Sequence, residues 1–431
     1  MWRQGAVMCV VLCIVVSVLS CQRDRSVAEP QRVVDVRVVT THGGQQLQHM
    51  QTLAEEFNNT NEGINLIIAD FPDVPQELLE RYNQYVQSQD PSIDVLSIDV
   101  IWPGDLAEHL IDLQDYFTAD EINDHFPSAI QNNTVDGRLV AMPWYLDSGL
   151  FYFRSDLLEQ YNREVPRTWD EMESTARFIQ EQERAAGNEN FWGFIWQAGM
   201  GEGLTCFALE VIASHGGGSI VNADGQLDVY NPRAIAGLER ARDWIGDITP
   251  EYALGFQGAE GPRSVWETGD FLFMRNWPYA FNLGNRSDSA VAGKFDITLL
   301  PSQPDAEPAS ALGGFQLGVS RYSQNPAAAA EVVRFFTSHE AQLQRALTQG
   351  DFPTHQGLYQ DDRLLQSGNP MYQSLGDVFA YTVPRPSTAT APYYNEFSRD
   401  FYTLVHQVLS GEMAADLALQ QVRLPEYGAA R

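Results

Sequence analysis

Three observations predict an α/β fold in two lobes for this chain. Its 431 residues are two to three times one ordinary domain of roughly 150 residues. Strand-like and helix-like stretches alternate along it, which argues for mostly parallel sheets covered by helices on both faces. No internal repeat, low-complexity tract or long linker separates the halves, so the lobes are expected to share chain crossings. Hydrophobic residues make up 44% and aromatics 11%; that excludes a disordered chain and allows a real core in each lobe.

Residues 1–20 read as a leader. Arg3 supplies the positive start, and residues 6–19 carry no charge, a stretch too short to cross about 30 Å of hydrocarbon. The segment VLSC at 18–21 resembles a bacterial lipobox, which makes Cys21 the acylated first residue of the mature chain. Two or three acyl chains on one cysteine suffice for stable anchoring. Residues 21–31 are polar and read as a tether. Cys9, Cys13 and Cys21 belong to this region, so Cys206 is left alone in the body and no internal disulfide is expected. A buried, apolar role suits it.

The β-branched run from Val33 to Val39 predicts a strand, His42 to Gly44 a turn, and Leu47, Met50, Leu53 and Phe57 a helix by their spacing. Ile64 to Ala69 predicts a second strand, Leu78, Leu79, Tyr82 and Val86 a second helix, and Asp94 to Ile98 a third strand. Val140 to Phe153 is extended and aromatic. Thr168 and Glu171 form a capping-box pattern ahead of Met172, Ala176 and Ile179. Asn231 before Pro232 and Asn325 before Pro326 each pair a cap residue with proline at the first helical position. Phe295 to Leu300 and Phe315 to Val319 read as strands. Phe397, Phe401, Leu404 and Val408 share one face of a last long helix that breaks at Ser410 and Gly411.

The chain has 57 acidic and 27 basic residues, with Lys294 the single lysine. Nucleic acid is excluded as a partner, because phosphate neutralisation needs a basic stripe. There is no G-x-S-x-G elbow and no phosphate-binding G-x-x-x-x-G-K-[ST] loop. His215 to Gly218 reads as a glycine-rich turn after an apolar segment, and the scattered histidines have no zinc-ligand spacing. No cofactor or metal is expected. What remains is aromatic residues beside isolated carboxylates. Trp102 follows Asp99, Trp144 and Tyr145 precede Asp147, Trp277 and Tyr279 follow Arg275, and Arg385 lies between two prolines. Sugars need this mixture: the C–H face of a pyranose lies on a ring while rim hydroxyls bond carboxylate and guanidinium. Taken singly, Trp144 and Trp277 also fit core packing, Asp99 and Asp147 a cap or turn, and Arg385 a brace for the C-terminal helices; the case for a site rests on their joint occurrence.

The segments DVLSIDVIW (94–102), GRLVAMPWYLDSGLFY (137–152), PRTWDE (166–171), NFWGFIWQ (190–197), RNWPY (275–279), LGGF (312–315) and VPRP (383–386) occur in this order. Through them the mature chain resembles the extracellular solute-binding proteins of carbohydrate ABC importers, the maltose-binding-like family, and within it the trehalose/maltose-binding branch. The resemblance implies a two-lobed periplasmic-binding-protein fold with three hinge crossings. Residues 32–149 and 315–352 would form the N-terminal lobe, and 150–314 and 353–431 the C-terminal lobe. It implies ligand contact by Asp99, Tyr145, Asp147, Trp277, Tyr279, Gly314 and Arg385, with Glu260, Gly44, Gln45 and Phe315 in the same set.

The chain departs from the branch where Gln45 and Gln46 replace an acidic residue, where Leu78 to Glu80 replace an arginine-bearing segment, and where Phe315 replaces a tryptophan. All three surround one sugar subsite. The expected activity is capture, without catalysis, of trehalose, maltose or a related glucoside and its delivery to a membrane permease. The receptor is expected to be a monomer, tethered by lipidated Cys21 to the outer face of the cell membrane. The alternatives are a secreted glycoside hydrolase using Asp99 and Asp147 as acid and base, and a receptor for another small polar solute.

Overall fold

The structure is a computed structural model that describes residues 33–40, 44–70, 75–222, 224–373 and 375–425. The leader, Cys21 and the tether lie outside the described residues. The first sheet opens with β1 (Val34–Thr40) paired in parallel with β2 (Ile64–Asp70) and β3 (Val95–Asp99). Alternation sets its two faces. Val36 and Val38 pack with Met50, Leu53 and Phe57 of the helix Gly44–Thr60. Val39, Leu96 and Ile98 pack on the other face with Leu78 and Tyr82 of the helix Pro75–Ser88.

The extended stretch after Val140 is two strands, β4 (Met142–Ser148) and β5 (Leu150–Phe153), separated by Gly149. β4 belongs to the first sheet and β5 to a second, which continues with β6 (Trp192–Ile195), β7 (Phe271–Asn276) and β8 (Asp296–Thr298) in the order β8-β5-β7-β6. The chain returns through β9 (Ser310–Val319), β10 (Phe352–Pro353) and β11 (Thr382–Val383). The first sheet then runs β10-β4-β9-β3-β1-β2, with β11 alongside β9. Around the second sheet, Trp169, Phe194, Trp196, Phe207 and Trp244 form the centre of its core.

The sheets are mixed, a correction to the mostly parallel expectation. β9 is antiparallel to both β3 and β4, and β5 is antiparallel to β7 and β8. For β9 the reason lies in the crossing: a strand that returns from the second sheet to the first runs against β4, the strand by which the chain left.

Local signals mostly hold. Thr168 and Glu171 make the reciprocal capping box ahead of the helix Trp169–Ala185. Asn231 accepts hydrogen bonds from the Arg233 and Ala234 N–H groups, both at 3.0 Å, at the start of the helix Pro232–Trp244. Asn325 does not cap the helix Pro326–Phe336. Its backbone, at φ −135° and ψ 53°, is outside the extended geometry usual for a capping residue, and its own N–H donates to Ser323 Oγ at 3.1 Å. Cys206 is buried and free, and burial pushes its thiol up to about 12.

Candidate ligand site at the lobe junction

β9 lies between β3 and β4, and its register builds the first part of the site. Phe315 is opposite Asp99 on one side and Tyr145 on the other, and Gly313 is opposite Asp147. Asp99, Phe315 and Tyr145 therefore project from one face of three neighbouring strands. The Tyr145 and Phe315 rings stack with centroids 5.7 Å apart. Gly314 has φ +120°, a conformation glycine tolerates, and a Cβ there would come 2.7 Å from the Leu146 Cα. A Cβ on Gly313 would lie 2.9 Å from the Trp277 ring and 3.1 Å from the Asp147 Cβ. The indole thus rests against β9 beside Asp147, and the glycine pair lets it do so.

Arg385 joins the lobes electrostatically. It is 6% exposed, and its Nη2 donates to Asp99 Oδ1 at 2.8 Å while Nη1 donates to Glu202 Oε1 at 2.8 Å. Glu202 opens the helix Glu202–Ser214 and also accepts from the hydroxyls of Tyr394 and Ser398. Asp99 accepts further from the Ile101 N–H at 3.3 Å. Burial raises the Asp99 pKa, and Arg385 opposes that rise. Close by, Trp102 Nε1 donates to Asn395 Oδ1 at 3.1 Å, and Asn395 Nδ2 donates to Asp105.

Asp147 stands differently. Its Oδ1 is buried without a hydrogen-bond partner. Burial raises its pKa well above the usual carboxylate range, and the nearby Asp351 carboxylate adds to the rise. An acceptor with no partner, beside a half-buried indole, is what a hydroxyl-bearing ligand satisfies.

Trp277 is held from behind. The Arg275 guanidinium carbon lies 4.1 Å from its ring centroid, and its carbonyl accepts from the Tyr152 hydroxyl at 2.6 Å. Two residues on, the Tyr279 hydroxyl donates to Glu260 Oε1 at 2.6 Å. Glu260 also pairs with Arg263, and its side chain is 61% exposed, so it stands at the rim.

The structure therefore brings Asp99, Tyr145, Asp147, Trp277, Gly314, Phe315 and Arg385 together on β3, β9, β4 and the segments facing them. Tyr279 and Glu260 form a pair beside Trp277. Gly44 begins the first helix; the side chain of Gln45 lies outside the described residues. Sequence reasoning missed Glu202 and Glu210. For Glu210 the available signal was a carboxylate within an apolar helical stretch, 204–213, where a charge demands a buried partner; Glu202 lies outside that stretch and gave none.

Comparison with known proteins agrees with this architecture. The sequence profile of the bacterial extracellular solute-binding protein family matches residues 43–343. A probable ABC transporter-binding protein of Deinococcus radiodurans is 43% identical over 351 residues, covering 80% of this chain and 83% of the relative. The maltose-bound MalE3 structure of T. maritima superposes with a TM-score of 0.85 at 33% identity, over 90% of this chain and 98% of that one. The GacH receptor of Streptomyces glaucescens, solved unliganded and with acarbose, shares the fold with a TM-score of 0.79 at 20% identity, over 90% and 96% of the two chains. By sequence and by architecture, the chain belongs to the bacterial extracellular solute-binding proteins, the two-lobed, maltose-binding-like receptors of ABC transporters.

Proposed function

We propose that this receptor captures a disaccharide, maltose, trehalose or a related glucoside, between its lobes and delivers it to the permease without chemical change. The observation that carries the reading is the half-buried Trp277 indole lying beside the unpartnered Oδ1 of Asp147, with Arg385 paired to Asp99 at the end of β3 in the same sheet. A pyranose stacked on the indole would present its rim hydroxyls to these groups. The T. maritima neighbour, solved with maltose, supports this choice of ligand class.

The hydrolase alternative is disfavoured by Asp99, whose Oδ1 is engaged by Arg385 and the Ile101 N–H. A general acid needs a proton free to move to the glycosidic oxygen. Lobe boundaries at 149/150, 314/315 and 352/353, a monomeric state and lipid anchoring through Cys21 on the outer face of the membrane complete the proposal.

A thermal-shift panel of mono- and disaccharides tests it. Ligand at 100 times Kd stabilises the native state by about 2.7 kcal/mol, so maltose or trehalose should raise the midpoint by several degrees, more than glucose does. A flat panel contradicts the proposal.

A further inference from the structure

We propose that the buried Arg275–Glu210 ion pair is a positioning element that couples the strands crossing between the lobes to the Trp277 platform. Both side chains are fully buried. Glu210 lies on the helix Glu202–Ser214, and Arg275 near the end of β7. The pair is bidentate: Arg275 Nε donates to Glu210 Oε2 at 2.8 Å, and Nη2 donates to Oε1. Nη1 donates to Gln197 Oε1 at 2.9 Å, which fixes the plane of the guanidinium.

Two further contacts connect this pair to the crossings. Glu210 Oε1 accepts the Ala311 N–H at 3.0 Å, at the start of β9, where the chain passes back into the first sheet. At Gly149, between β4 and β5, a Cβ would overlap Glu210 Oε1 and come 2.6 Å from Arg275 Nη2. Gly149 itself donates to the Ala311 carbonyl at 3.4 Å. Both crossing strands thus bear on one carboxylate. On its other side the same guanidinium stacks on Trp277, whose ring edge touches β9 near Gly313.

The physical consequence is a shared constraint. A change in the angle between β4 and β5, or a shift of β9 at Ala311, must move Glu210 or break its bonds. Glu210 cannot move without its guanidinium partner, because an unpaired buried charge is strongly disfavoured. The guanidinium in turn sets the tilt of the indole. Lobe angle and platform position are therefore linked through one side-chain pair that need not touch ligand. This rests on the reading of Trp277 as the sugar platform.

The test uses the full chain and two variants. The apolar double variant Arg275→Met/Glu210→Met removes both charges together, so neither is stranded. Gly149→Ala disturbs the pair sterically and leaves its charges in place. Calorimetry with maltose and with trehalose measures affinity. The emission of Trp277 in unliganded protein is obtained by subtracting the spectrum of a Trp277→Phe form in each background. Both variants are expected to unfold cooperatively, to show altered Trp277 emission, and to bind the sugar at least tenfold more weakly. Where the double variant fails to fold, Gly149→Ala decides. A folded variant with wild-type Trp277 emission and wild-type affinity overturns the proposal. If the wild type binds neither sugar, the disaccharide reading fails, and the emission difference still tests the coupling.

Discussion

Asp147 carries opposite demands of stability and binding. Its Oδ1 is buried and unpartnered, and its pKa is raised by burial and by Asp351. A carboxyl whose folded pKa exceeds the unfolded value stabilises fully only below the unfolded value, and that contribution is lost as pH rises through the folded one. Asp147→Asn should therefore raise the thermal midpoint at pH 7 by a few degrees, read by calorimetric scanning, while weakening sugar binding. An unchanged or lower midpoint contradicts the assignment of cost. At Arg385 one fork serves Asp99 and Glu202 at once, which a lysine cannot reproduce. Arg385→Lys should weaken binding at least tenfold by titration; wild-type affinity would remove Arg385 from the site. The candidate residues were legible in the sequence, because aromatic residues near Asp99 and Asp147, together with Arg385 between two prolines, form a recognisable set. The partners of Glu202 and Glu210 were not, since they lie 183 and 65 residues away, separations that only the tertiary fold brings together.

Among the elements, β9 shows how context overrides local preference. The sequence predicts a strand over Phe315 to Val319 only. The strand extends back to Ser310 because β3, β4 and β11 flank it and satisfy its backbone groups. Asn325 is the converse case, a predicted cap residue whose backbone angles differ from those of a cap and whose side chain makes no cap bond. The segments around β10 contain a buried histidine pair, His125 and His355, with ring centroids 4.2 Å apart. Burial, then the neighbouring His355, lowers the His125 pKa to about 3. The unfolded chain binds that proton near pH 6.5, so this contribution to stability is present above pH 6.5 and is lost as pH falls toward 3. His125→Gln should flatten the decline of the thermal midpoint between about pH 6.5 and 4; an unchanged slope contradicts this.

At the scale of the molecule, strand–helix alternation announced the α/β lobes, and the absence of a linker announced their shared crossings. The mixed pairing was not legible, because the direction of a returning strand depends on which neighbours it joins. The lipobox pattern at Cys21 gives its own expectation. Cys21→Ala should abolish incorporation of labelled fatty acid and release the receptor from the membrane fraction; retention of label contradicts it. The claim on which the functional account depends is that Trp277 forms the floor of a sugar site between the lobes. Calorimetric titration of maltose and trehalose into the wild type and Trp277→Ala tests it most directly. The account predicts saturable binding of at least one sugar by the wild type, with a constant on the order of micromolar, or about −8.2 kcal/mol, weakened at least tenfold in the variant. Superimposable isotherms from the two proteins would contradict it.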